Sequence, residues 1–310
     1  MTDTVTSVHS SSHARDLQLG LIGTGVAVAT WGATSVIIKA IDMGGLAIGF
    51  WRFSLYALVL SVWMLSRGIR INRRVLLASM PGGISLGLDI VFFFTALKTT
   101  NVVNATTIGS LQPLVVAVFA AKMFGERIRI KDIAAAVISI AAVVVIVIES
   151  SGTPGWSGAG DLAAVGALFC WSGYFIFSKR SKGSLTPMEY TAGTGIWTAV
   201  ICLAVGLAFQ QDMSFPSRVG WLPLIALTLG AGILGHSIMN WSLVRVPLWL
   251  GSTLTLLIPV VSSLAAWAFL DEALTGEQLA AIAVVITALA SIIISQTKPE
   301  PVRPPQIPTT

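Results

Sequence analysis

Long apolar segments recur along the whole chain and are separated by short polar loops. A helix that crosses a lipid bilayer needs about 20 mostly apolar residues. The apolar runs are continuous rather than alternating, so they predict spanning helices and not the strands of a membrane barrel. The predicted spans are Leu17–Lys39, Gly44–Leu65, Val75–Leu97, Val102–Phe124, Ile133–Ile148, Asp161–Ser178, Met188–Phe209, Val219–Leu243, Pro247–Leu270 and Gln278–Ile294. The pattern therefore predicts an all-α polytopic membrane protein with ten transmembrane helices.

The composition supports this class. Hydrophobic residues make up 55% of the 310 residues and charged residues only 11%, against about 25% charged residues in soluble domains. This excludes a soluble enzyme, a disordered protein and a nucleic-acid-binding module. Cys170 and Cys202 both lie in apolar segments and offer neither a disulfide framework nor a zinc site. We expect no metal, no other cofactor and no nucleic-acid partner.

The two ends of the chain are polar. Residues 1–16 are rich in Ser and Thr, and residues 296–310 are rich in Pro. We expect both to be disordered tails, and we expect no cleavable signal peptide before the first span.

The distribution of basic residues predicts the orientation. Ten spans place both termini on one side, and the loops on the other side carry only Lys39, Lys98 and Arg218. Apart from Arg52, which lies within a span, the other Lys and Arg residues lie on the side of the termini. Because basic loops favour the cytoplasm, we expect cytoplasmic termini and a location in the inner (plasma) membrane. Orientation alone accounts for the basic loops.

The chain contains an internal repeat. Identical residues recur at matching places in the two halves: Pro113 with Pro259, Glu126 with Glu272, Trp31 with Trp171, and Lys39 with Lys179. The repeats are predicted over 17–149 and 161–295, with a Gly/Ser/Pro-rich linker at 150–160. Since five helices is an odd number, the second half crosses the membrane in the opposite sense. Inverted repeats are typical of secondary transporters, which bind substrate between the halves.

The motifs of the two halves resemble a known family. The first half carries Thr106–Pro113 and then Phe124-Gly125-Glu126-Arg127, and the second carries Ser252-Thr253, Pro259 and Leu270-Asp271-Glu272. These motifs resemble the drug/metabolite transporter superfamily with paired EamA-type domains. The length and the aromatic-rich spans are most similar to those of its amino-acid exporters, including aromatic amino acid exporters of the YddG type.

This resemblance implies a secondary transporter that exports small metabolites, above all aromatic and other neutral amino acids. Transport would occur by alternating access through a central cavity between the repeats. Drugs, sugars or nucleosides are alternative substrates in the same fold. No Walker motif is present, so ATP is not the expected energy source. The expected partners are a small-molecule substrate and membrane lipid, and the working expectation is a monomer.

Substrate-binding roles are predicted for aromatic residues of the repeat-related first helices, polar residues of the fourth helix and a polar pair on the eighth. These residues are Trp31, Asn101, Ser110, Gln112, Trp171, Tyr174, His236 and Asn240. A cavity with apolar walls and a few polar groups would suit a small amphipathic solute. The alternatives are interfacial anchoring for the aromatic residues and hydrogen bonding between helices for His236.

Ionisable residues and prolines inside spans suggest further roles. Charges inside a bilayer are costly, so they usually face a cavity or a partner. Asp89 and His236 are candidates for proton coupling, with structural roles as the alternative. Arg52 is interpreted as an arginine that snorkels to the outer interface. Pro113 and Pro259 are candidate hinges, with static kinks as the alternative.

A different class of function, a membrane-embedded enzyme or lipid-handling protein, would use Asp89, His236 and Ser85. The run from Gly83 to Gly87 matches the G-x-S-x-G nucleophile pattern, but that chemistry needs a strand-to-helix elbow. Within an apolar helix the two glycines favour close helix packing instead. A channel is disfavoured because no filter loop or ring of charge recurs. We therefore expect a transporter and not an enzyme.

Overall fold

The computed structural model of the protein describes residues 2–38, 41–152, 155 and 157–297. These residues contain ten helices that are long and apolar enough to span a membrane, which confirms the predicted fold class. The helices are α1 (Thr2–Ile38), α2 (Gly45–Ser66), α3 (Arg73–Thr99), α4 (Val102–Phe124), α5 (Ile130–Ser151), α6 (Ala159–Arg180), α7 (Pro187–Ala208), α8 (Trp221–Leu243), α9 (Leu248–Leu270) and α10 (Gly276–Thr297).

The largest departure from the predicted boundaries is at the start of α1. The helix begins at Thr2 rather than Leu17, so the backbone is helical where the sequence predicted a disordered tail. No Gly or Pro precedes Gly20, and therefore no helix-breaking residue interrupts the first turns. The apolar, spanning part of α1 begins at Ala14. The predicted C-terminal tail lies outside the described residues from residue 298 onward.

The helices pack in pairs that repeat between the two halves. Helix α3 packs on α6 and α7, and the corresponding α8 packs on α1 and α2. Helix α5 packs on its own counterpart, α10. These matched contacts are those of two inverted five-helix repeats. We call the face at which α1 begins and α10 ends the terminal face, and the opposite face the distal face.

Helices α4 and α9 are both interrupted near their middle, at matching positions. The first is a helix over Val102–Gly109 followed by one over Gln112–Phe124. The second passes through a 3₁₀ turn at Leu254–Leu256. Pro113 and Pro259 lie just after these interruptions. Proline accounts for the interruptions, because it lacks the N–H donor and its ring clashes with the carbonyl four residues earlier.

Helix α8 widens into a π-helix over Thr228–His236, which the sequence analysis did not predict. Within this segment the indole N–H of Trp31 donates a hydrogen bond of 2.9 Å to the carbonyl oxygen of Ala231. At Gly235 a Cβ atom would lie only 2.3 Å from the Trp31 indole nitrogen. Glycine at this position therefore lets α1 and α8 approach closely. Such π segments are frequent at functional sites.

Candidate functional site

Three adjoining cavities lie between the repeats and lead toward the distal face. The charged cavity, of about 230 Å³, contains Arg52 and Asp89. The apolar cavity, of about 300 Å³, shares Asp89, Trp171 and Ile258 with it. The distal cavity, of about 470 Å³, shares Ile258 and Pro259 with the apolar cavity and is lined by the distal ends of α5 and α10. All three are lined by both repeats.

The charged cavity is lined by an arginine and an aspartate that do not pair with each other. Within the part of the chain that the structure describes, no ion pair joins Arg52 or Asp89 to any residue, and the buried Nε of Arg52 has no hydrogen-bond partner. The guanidinium lies 5.0 Å from the ring centre of Phe53. Arg52 lines the charged cavity between the repeats, a position that does not support its interpretation as a residue that snorkels to the outer interface.

Aromatic rings form one wall of the charged cavity. Trp31 and Trp171, which are related by the repeat, make an edge contact with ring centres 5.4 Å apart. His236 packs between them and Phe53, at 5.2 Å from Trp31 and 5.6 Å from Phe53. Trp31, Trp171 and His236 all line this cavity together with Asp89. The structure thus brings four of the predicted residues to one site.

Tyr174 and Asn240 lie beneath this wall, on its terminal side, in a buried hydrogen-bond network. The Tyr174 hydroxyl is 3.1 Å from Nδ1 of His236 and 2.9 Å from the Asn240 amide nitrogen, which donates to it. Asn240 also accepts from Ser178 at 2.7 Å and donates to Thr191 at 2.9 Å. Both side chains are almost completely buried, and neither lines the three cavities. Their contacts connect α6, α7 and α8.

The polar residues predicted on α4 fall in three different places. Asn101 is exposed and caps α4, where its side chain accepts a hydrogen bond from the backbone N–H of Asn104. Ser110 lines the apolar cavity. Gln112 is buried and accepts a 3.1 Å hydrogen bond from the Thr255 hydroxyl. This bond joins the interruptions of α4 and α9.

The two prolines also differ in position. Pro113 is buried at the start of the second part of α4. Pro259 lines both the apolar cavity and the distal cavity. Their roles as hinges stay predictions.

The G-x-S-x-G run lies within α3 and packs against other helices. A Cβ atom at Gly83 would lie 2.4 Å from Cβ of Trp197, and one at Gly87 would lie 2.7 Å from Cβ of Ile201. The hydroxyl of Ser85 is near Gly173 of α6. This helical geometry lacks the sharp strand-to-helix turn that exposes a nucleophilic serine. The glycines instead allow α3 to approach α7.

A hydrogen-bonded contact joins the two repeats at the terminal face. Gly125 has a left-handed backbone, with φ of 64°, and ends α4. The turn directs the Glu126 carboxylate to the start of α9, where it accepts hydrogen bonds from the backbone N–H groups of Leu248 at 2.7 Å and Trp249 at 3.1 Å. The first N–H groups of a helix lack partners within the helix, and a carboxylate also suits the positive end of the helix dipole. Sequence analysis identified Glu126 as a repeat position but assigned it no role.

The same turn recurs in the second repeat at the distal face. Asp271, the counterpart of Gly125, is also left-handed, with φ of 55°. The backbone N–H of Glu272 donates to the carbonyl of Ala266, as that of Glu126 donates to Ala120. Glu272 and Val102, which begins α4, both line the distal cavity. The distal cavity therefore adjoins the position that corresponds to the Glu126 contact at the terminal face.

Two inverted repeats with matching turns and a cavity between them characterise a transporter architecture, and comparison with known proteins decides the family. The sequence model of the EamA-like transporter family matches the chain twice, over residues 18–148 and 158–294. The chain belongs to this family. The two matches coincide with the two five-helix halves.

Several bacterial relatives are named as exporters or efflux pumps. The aromatic amino acid exporter YddG of Ancylobacter novellus is 30% identical over 155 residues, which cover 49% of this chain and 52% of that protein. A probable amino-acid metabolite efflux pump of Salmonella typhimurium is 26% identical and covers 84% of this chain and 90% of its own length. The threonine/homoserine exporter RhtA of the same species is 24% identical over 80% of this chain and 82% of its own.

A solved crystal structure also has this fold. It matches with a TM-score of 0.78 at 22% sequence identity, over 92% of this chain and 99% of the other. At this identity the similarity concerns the fold alone. The family and the bacterial relatives identify the chain as a multi-pass protein of the inner membrane.

Proposed function

We propose that this protein is a secondary transporter that exports amino acids, chiefly aromatic and other neutral ones, by alternating access. The observation that carries this proposal is the cavity between the inverted repeats, which extends toward the distal face, while Glu126 joins the repeats at the terminal face. The named relatives favour amino acids among the possible solutes. Drugs, sugars and nucleosides remain the alternative substrates.

The repeat symmetry supplies the second state of the transport cycle. In the present state Glu126 closes the terminal face by capping α9. In the opposite state Glu272 would cap the start of α4, at Val102 and Val103, and so close the distal face. The two contacts would alternate, because the repeats are related by inversion. Bending at Pro113 and Pro259 would accommodate the change.

The charge distribution suggests how this cycle is oriented. The loops at the terminal face carry most of the basic residues, so we infer that the termini are cytoplasmic. The distal face would then be external, and the present state would be outward-facing. Asp89 and His236 stay candidates for proton coupling, and a monomer stays the working expectation.

The experiment that tests this function is solute uptake into proteoliposomes. Labelled tryptophan, phenylalanine, threonine, methionine and lysine would be supplied separately, with and without a pH gradient, together with a sugar and a nucleoside. We expect uptake of the aromatic and neutral amino acids. Uptake of the sugar or nucleoside alone would contradict the proposed substrate class and retain the fold assignment.

A further inference from the structure

We propose that Arg52 and Asp89 bind the two charged groups of a zwitterionic amino acid. The guanidinium of Arg52 would bind the α-carboxylate, and the carboxylate of Asp89 would bind the α-ammonium. This inference rests on the proposed function, because it names the residues that would recognise the proposed substrate.

An unpaired arginine and an unpaired aspartate line one small cavity. Both side chains line the charged cavity, and no ion pair joins them to each other or to another described residue. Charged groups within a membrane normally pair with a partner because burial is costly. An amino-acid zwitterion supplies a counter-charge for each of them and remains neutral overall.

The geometry of the substrate's two charged groups also favours this site. The α-carboxylate and α-ammonium are attached to the same carbon atom, so a site for them needs two opposite charges facing one small space. Arg52 and Asp89 both line one cavity of about 230 Å³, which gives the two groups this shared space. Arginine is suited to carboxylates, because its planar guanidinium can donate two parallel hydrogen bonds.

The apolar cavity next to Asp89 offers space for the side chain of the substrate. Asp89 also lines the apolar cavity of about 300 Å³, so a ligand with its ammonium at Asp89 has this space next to it. Phe93, Leu168 and Leu256 are part of its lining, and Asp89 is the only charged residue among the described residues that line it. This lining favours neutral apolar or aromatic side chains over a second charge.

The test uses analogues that lack one of the two charges. Counterflow of labelled phenylalanine would be measured in proteoliposomes, with excess phenylalanine, phenethylamine or 3-phenylpropionate as competitor. Phenethylamine lacks the carboxylate and 3-phenylpropionate lacks the ammonium. In the unmodified protein we expect only phenylalanine to compete strongly.

Each substitution should remove one specific preference. In Asp89→Asn the half-saturation concentration for phenylalanine should rise at least about tenfold, and its advantage over 3-phenylpropionate should shrink. In Arg52→Gln the advantage over phenethylamine should shrink instead. The exposed residues Asp42 and Arg70 provide matched controls, and Asp42→Asn and Arg70→Gln should leave both preferences unchanged.

A second measurement covers variants that no longer transport. Stabilisation of the detergent-solubilised protein by the same three compounds, followed by thermal melting, reports binding without transport. The proposal is overturned if both variants still prefer phenylalanine to each analogue as strongly as the unmodified protein does. It is also overturned if each variant loses its preference over 3-phenylpropionate and over phenethylamine to the same extent. Failure of the unmodified protein to transport any amino acid would instead contradict the proposed function. Transport by the unmodified protein together with unchanged variants would contradict only this site.

Discussion

The contact between Glu126 and the start of α9 should hold the terminal face closed. Its carboxylate accepts two backbone hydrogen bonds, at 2.7 and 3.1 Å. The substitution Glu126→Gln removes the negative charge and one of the two acceptor atoms. Hydrogen bonds to charged groups contribute about 1.5–3 kcal/mol, so the balance between the two states should move by roughly 10- to 150-fold toward opening at the terminal face.

Accessibility of a cysteine in the distal cavity can measure this change. Thr106 lines both the distal and the apolar cavities, so Thr106→Cys would report on this space once Cys170 and Cys202 are replaced by Ser and Ala. An impermeant maleimide should label this cysteine more slowly when Glu126→Gln is added. Asp16→Asn, at an exposed position near the terminal face, is the matched control and should have no effect.

The double variant Glu126→Gln with Glu272→Gln tests whether Glu272 has the matching role at the distal face. If Glu272 closes the distal face in the opposite state, its removal should weaken that state and return the labelling rate toward the unmodified value. The reasoning is refuted if Glu126→Gln leaves labelling unchanged, or if the second substitution slows labelling further. Thermal melting of each variant would show that the protein remains folded.

Three further changes test other parts of the structure. Trp171→Ala should raise the half-saturation concentration for tryptophan about tenfold, and that for threonine by less, because the aromatic wall of the cavity is lost; competition counterflow measures both. Asn240→Ala should lower the melting temperature in detergent, because each buried partner left without a hydrogen bond costs roughly 1–3 kcal/mol. Unchanged stability would mean that this network is not structural. Pro259→Ala should slow exchange roughly tenfold without loss of folded protein, because it restores a backbone donor at the interruption of α9; an unchanged exchange rate would remove its role as a hinge.

The ten helices could be predicted because each apolar run is long enough to cross a bilayer and is bounded by polar residues. The interruptions of α4 and α9 also follow from local chemistry, since proline removes a hydrogen bond wherever it stands. The π-helix of α8 could not be predicted in this way. Trp31 contacts this segment at Gly235 and Ala231, and only the packed structure brings these residues together.

The candidate site was predicted only in part. Asp89, Trp171 and His236 were singled out by charge, repeat symmetry and residue type, and they line one cavity. Arg52 was interpreted as an interfacial residue, because its depth along α2 does not reveal which neighbours its side chain meets. Asn240 was predicted beside His236 in the site, but its partners on α6 and α7 bury it.

The most direct test of the central claim is trans-stimulation in proteoliposomes. Entry of labelled phenylalanine would be compared between vesicles that contain unlabelled phenylalanine and vesicles that contain only buffer. Alternating access predicts saturable entry that is faster into the loaded vesicles, because each turnover can return with a bound substrate. Entry that does not saturate and is indifferent to the internal amino acid would contradict the account.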